Sequence, residues 1–155
     1  MAPAKPFAGK KRKYFTVEEA NSALPLVRMI VGDIVSQYKI VEDLQQRLSM
    51  VAKERKKPTK DLYAEELAQS QAELDAEEQK LMSYIDELKR LGVEFKGPDG
   101  LVDFYSIMDG REVFLCWRLG EPDVSHWHEL DAGFAGRQPL TADAKTTPAD
   151  AEDLF

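Results

Sequence analysis

Residues 101–117, LVDFYSIM-DG-REVFLCW, are the stretch whose reading decides the fold. Two runs rich in aromatic and β-branched residues flank Asp109-Gly110. An Asp-Gly pair between such runs is the strongest short-range hairpin signal, because a type I′ turn needs positive φ at both central residues. A two-residue loop fixes the register. It sets Phe104 opposite Leu115 and Val102 opposite Trp117 on one face, and Asp103 opposite Cys116, beside Tyr105 and Phe114, on the other. The first face reads as core.

Upstream, Gly92 marks a change in composition and stands where a helix C′ glycine belongs. The segment before it, from about Thr59 to Leu91, carries Leu67, Leu74, Leu81 and Leu88 at seven-residue spacing, with Ile85 between the last two. Four heptad leucines above a basic stretch raise the reading of a dimerising zipper. Gln71 and Glu78 at the intervening positions weaken it. Further upstream, Val27, Ile30, Val31, Ile34, Tyr38, Val41, Leu44, Leu48 and Val51 recur at spacings of mostly three and four, the stripe of an amphipathic helix. Thr16-Val17-Glu18-Glu19 is a capping box that starts this helix, and Phe15 before the cap can pack on the first turn. Pro25 removes a donor about two turns in and predicts a kink or a restart. A short link between two long stripes predicts an antiparallel helical hairpin, with coiled-coil pairing between subunits open besides.

Downstream, Gly120-Glu121-Pro122-Asp123 reads as a turn and Val124–Leu130 as a third extended segment. The expected fold is therefore α+β: a long antiparallel two-helix hairpin followed by a small antiparallel β module, a hairpin plus a third strand. The expected organisation is a basic flexible tail over 1–13, one domain over 14–140 divided into a helical hairpin (14–92) and a β-rich module (93–140), and an acidic disordered tail over 141–155. That last segment has Lys145 against Asp143, Asp150, Glu152 and Asp153 and few apolar residues.

A chain of 155 residues suits one folding unit with tails. Charged residues at 32% match the exposed surface of long helices. No apolar run reaches the length of about 18 residues that reads as a membrane helix, and no apolar segment follows the basic N-terminus as a secretory signal requires. Cys116 is the single cysteine, so no intrachain disulfide forms and the cytoplasm is the default location. A net charge of −7 argues against nucleic-acid binding over the whole surface. Two basic patches leave local contact with nucleic acid open: Lys5, Lys10, Lys11, Arg12 and Lys13, and then Lys53, Arg55, Lys56, Lys57 and Lys60. Solvated tail and loop charge is the commoner meaning of such runs.

Reactive residue types gather between 103 and 137. His126 and His128, the two histidines, share a face of a strand by period-two geometry. Paired this way they are candidate zinc ligands, with Glu121, Cys116, Asp131 and Asp103 as candidate completing groups. Hydrogen-bonding or pH-responsive histidines are the alternative. Cys116 is either a nucleophile activated by a histidine or a small buried hydrophobe. Trp117 and Trp127 stack on a flat ligand or fill the core. The run from Asp131 through Gly133, Phe134 and Gly136 to Arg137 suggests an anion wrap of backbone amides closed by arginine. It contains neither a dinucleotide fingerprint nor a phosphate loop.

YFTVEEANSALPLV at the start and GLVDFYSIMDGREVFLCWRLGEPDVSHWHELDAGFAGRQPL near the end resemble a family of short bacterial proteins, the domain of unknown function DUF2203. The resemblance covers roughly residues 14 to 140. It rests most on the paired LCWRLGE and WHxxxxGFxGR strings, which here are Cys116, Trp117, Arg118, Glu121, Trp127, His128, Gly133, Phe134, Gly136 and Arg137. His126 lies outside those strings. The resemblance implies a bacterial cytoplasmic protein and supplies no activity. Three functions stand: a non-enzymatic binding or assembly protein that meets a protein partner or itself through the helices and carries a ligand- or partner-docking β module, with Asp103, Cys116, Trp117, Arg118, Glu121, Trp127, His128, Asp131 and Arg137 as the candidate docking cluster; a metal- or small-molecule-dependent enzyme centred on Cys116, Glu121, His128 and Arg137; and nucleic-acid contact through the basic segments.

Overall fold

The computed structural model describes residues 12–54 and 60–148. Two helices, α1 (Val17–Glu54) and α2 (Lys60–Arg90), are followed by strands β1 (Val93–Gly97), β2 (Leu101–Met108), β3 (Arg111–Arg118), β4 (His126–Glu129) and β5 (Gln138–Pro139), with a 3-10 turn at Phe134–Gly136 before β5. The five strands form one antiparallel sheet in sequence order. The fold is α+β with a helical hairpin, as the apolar stripes indicate. The sheet gains β1 and β5 at its two edges, beyond the hairpin and third strand read from sequence.

The β2–β3 hairpin has the register its turn dictates: Val102 pairs with Trp117, Asp103 with Cys116, Phe104 with Leu115 and Tyr105 with Phe114. Asp109 and Gly110 take φ of 52° and 81°, the positive pair a type I′ turn requires. A second constrained position is Gly100, at φ 96°, where an added Cβ would lie 2.6 Å from that of Leu119. The helix-facing side of the sheet buries Val93, Val102, Phe104, Val113, Leu115 and Trp117 against Leu24, Val27, Val31 and Ile34 of α1 and Leu88 of α2.

The capping box forms in both directions. The Glu19 amide donates to Thr16 Oγ1 and the Thr16 amide to Glu19 Oε1, each at 3.0 Å. Phe15 meets Phe104 edge to face at 5.1 Å, its amide donates to the Tyr105 carbonyl, and its own carbonyl accepts from Ser106 Oγ. The start of α1 is thereby fixed to β2. The helix is unbroken across Pro25, contrary to the restart expected there. Pro25 is exposed while Leu24 and Val27 are buried, so the ring stands clear of the core and packing on the opposite side holds the helix.

Leu74, Leu81 and Leu88 are buried against α1 within the chain, which makes the heptad leucines the seam of the intramolecular hairpin. Burial fades toward the far end: Leu48 and Leu67 are half-buried and Val51 is exposed. Helices of 38 and 31 residues span about 57 and 46 Å. The sheet packs on the end nearest Val27–Tyr38, so α1 and α2 continue past it as an arm.

Residues 141–148, read from sequence as part of an acidic disordered tail, are instead docked on the sheet. Thr146 bridges Met108, the Thr147 amide donates to the Ile107 carbonyl, and the Val17 amide donates to Thr146 Oγ1. Backbone bonding and a hydroxyl acceptor outweigh the poor apolar content of this piece. The remainder of that tail, the first eleven residues and the basic residues 55–57 lie outside the described residues.

Candidate functional site

The clustered reactive side chains lie on or beside the sheet face that points away from α1 and α2, whereas Trp117 and Trp127 stand on the helix-facing side. Alternation along β2, β3 and β4 puts Asp103, Tyr105, Phe114, Cys116, His126 and His128 on that face. The two histidines do share a face. Only His128 turns inward; His126 is half-buried and meets Ser125 Oγ at 3.2 Å.

Asp103, Cys116 and His128 are buried together, at 3%, 0% and 2% exposure. The His128 Nδ1 lies 2.7 Å from the Glu129 carbonyl oxygen. A carbonyl only accepts, so Nδ1 carries a hydrogen and Nε2 faces Asp103 Oδ1 at 3.1 Å. One proton joins Nε2 and the carboxylate, as an imidazolium–carboxylate pair or as a carboxylic acid donating to a neutral ring. Burial raises the Asp103 pKa, against the opposing pull of His128 and of Lys96. Burial, then the Asp103 charge, push the Cys116 thiol up to about 12. A thiol held so far above neutrality, with no exposure, is not an activated nucleophile.

The second group is a latch between the β3–β4 turn and the segment before β5. Arg137 grips Glu121 with both terminal nitrogens, at 2.7 and 2.8 Å, and its Cζ lies 4.6 Å from the Phe134 ring centroid. Glu121 Oε1 also accepts from the Arg118 amide at 3.0 Å, and the Glu121 carbonyl accepts from Trp117 Nε1 at 3.0 Å. Hydrogen bonding to Arg137 lowers the Glu121 pKa, against the desolvation that opposes it.

These contacts answer several readings from sequence. Cys116, Glu121, His128 and Arg137 do not converge in one open site: the first and third belong to the buried triad, the second and fourth to the latch. The set His126, His128, Glu121 and Cys116 is likewise not assembled, because Arg137 occupies Glu121 and His126 stays apart; Asp103 stands in their place. Trp117 is fully buried, so it is core and not a stacking platform, while Trp127 is half-buried against that core. The amides of Ala132, Gly136 and Arg137 donate to backbone carbonyls within the turn, which leaves them no anion to wrap, and Asp131 is exposed away from both groups.

The family model for an uncharacterized conserved protein, DUF2203, matches residues 13–140. The chain belongs to this family. A search of curated proteins and a search of solved structures found no match. In this DUF2203 chain the two strings that carry the resemblance are bonded to each other by Glu121 of the first and Arg137 of the second, while Trp117 Nε1 bonds the Glu121 carbonyl within the first.

Some side chains that organise this architecture were missed from sequence. Asn21 reaches from α1 to Val124, accepting its amide at 2.8 Å and donating to its carbonyl at 3.3 Å. Gln37 is buried between the helices and donates to the Glu77 carbonyl and carboxylate. The only sequence signal for either is a polar residue interrupting an apolar stripe. No helix among the described residues is long and apolar enough to cross a membrane.

Proposed function

We propose that this protein is a non-enzymatic binding or assembly protein in which the helical arm meets the partner and the sheet is its rigid base. The observation that carries this reading is a groove of about 860 Å³ where the arm leaves the sheet. Val35, Tyr38, Val41, Leu81 and Met82 give it apolar walls, and Glu42, Glu78 and Asp99 stand with Lys39 at its polar positions. Met82 on α2 is 60% exposed. Exposed apolar groups rimmed by charge suit a protein contact. The acidic excess suits a partner segment with an apolar anchor and basic flanks. The sealed triad and the occupied latch support the non-enzymatic side of the reading, because neither offers a reactive group to a substrate.

Light scattering over a range of concentrations, with pull-down from a cognate lysate, tests it. The expected result is a stoichiometric complex or self-association that Met82→Glu abolishes while the circular dichroism spectrum is unchanged. A strict monomer that captures nothing, or a complex indifferent to Met82→Glu, overturns it.

A further inference from the structure

We propose that Asp103, Cys116 and His128 form a zinc-binding tripod that ties β2, β3 and β4 together on the sheet face away from the helices. One carboxylate oxygen, one sulfur and one imidazole nitrogen lie within 4.8 Å of one another. A tetrahedral zinc with bonds of about 2.0–2.3 Å holds its ligands about 3.3–3.8 Å apart, so small side-chain adjustments close the set around an ion. Among the described residues no fourth histidine, cysteine or acidic side chain joins the group, which leaves the fourth corner of the tetrahedron to another donor.

A second observation separates this cluster from a chance meeting of polar groups. His128 donates Nδ1–H to the Glu129 carbonyl, the outer contact by which metal-bound histidines are held in one tautomer. That contact aims the Nε2 lone pair at Asp103, itself an acceptor, so the space between them requires a proton or a cation. The Cys116 sulfur lies within 4.8 Å of the facing Asp103 and His128 donor atoms. Zinc would replace two protons, that of the thiol and the one shared by Asp103 and His128, and both leave to solvent. The charge balances in each state. Without metal the three groups sum to zero; with it, the dication is matched by one thiolate and one carboxylate. Exchange therefore buries no net charge, the condition a closed interior site must meet. Two cations that act on the cluster are already paired, Lys96 with Glu94 at 3.2 Å and Arg137 with Glu121.

The test uses the full chain after chelator treatment, titrated with Co²⁺ and with Zn²⁺. About one equivalent of Co²⁺ is expected to bind with a thiolate-to-cobalt charge-transfer absorption. That band is expected to vanish in Cys116→Ser and to persist in His126→Gln, whose ring is outside the cluster. Zn²⁺ is expected to raise the melting temperature of the wild type and not of Asp103→Asn. Folded wild type that shows no thiolate band, or a band that survives Cys116→Ser, overturns the site. The wild-type spectrum decides the matter without any variant having to fold. None of these readouts depends on the groove, so this inference and the proposed function fail separately.

Discussion

Replacing Arg137 by methionine and Glu121 by glutamine, singly and together, measures what the latch contributes. Methionine keeps an unbranched apolar stem and removes the guanidinium that lies over Phe134; glutamine keeps an oxygen that can accept the Arg118 amide. The side chains are 13% and 26% exposed, between a solvated pair, worth about 0–1 kcal/mol, and a sealed one, whose truncation costs about 3–5 kcal/mol. Two charge-assisted bonds at 2.7 and 2.8 Å in that setting put Arg137→Met at about 2 kcal/mol and Glu121→Gln at about 1.5 kcal/mol. Because each variant destroys the same interaction, the double variant should fall short of their sum by about 1 kcal/mol. At about 2–4 °C per kcal/mol, Arg137→Met should melt about 4–8 °C below wild type. The assay is urea unfolding followed by tryptophan fluorescence, apt because Trp117 Nε1 bonds the Glu121 carbonyl. The folded-state pKa of Glu121 is depressed from 4.5, so the pair contributes fully above that value and its contribution is lost as pH falls through the lower folded pKa. The wild-type advantage over Glu121→Gln should therefore be constant near neutrality and shrink in acid. Strictly additive single variants, or an advantage that grows in acid, would refute the latch.

Three further outcomes follow from packing and chemistry. Leu88→Ala, at a fully buried position where α2 meets the sheet, should cost about 2–5 kcal/mol in urea unfolding, and Leu67→Ala, half-buried on the arm, clearly less. Gly100→Ala should destabilise more than Gly120→Ala: both carry positive φ, but only at Gly100 does the new Cβ meet another side chain, at 2.6 Å. Equal losses would remove steric contact as the reason. Cys116, buried and with its thiol pushed up to about 12, should resist alkylation in the native protein and react at the rate of unfolding; rapid native labelling would contradict the burial described.

The sequence by itself determined the two helices, the β2–β3 hairpin with its register, and the extended segment that becomes β4; the edge strands β1 and β5 it did not. The Thr16 box, the two apolar stripes and the Asp109-Gly110 turn are local signals, each complete within a few residues or one periodic pattern, and the register from Val102 to Trp117 follows from turn length alone. It also showed which residue types crowd between 103 and 137. The tertiary structure alone decided how they combine. Glu121 and Cys116 were equal candidates beside the histidines until the β3–β4 turn gave Glu121 to Arg137. Asp103 reached His128 because sheet order sets β3 between β2 and β4, a diagonal approach that the spacing of neither strand encodes. Pro25 sits within an intact helix, and residues 141–148 are docked, for the same reason: the compensating contacts come from parts of the chain about a hundred residues distant, which no local pattern records.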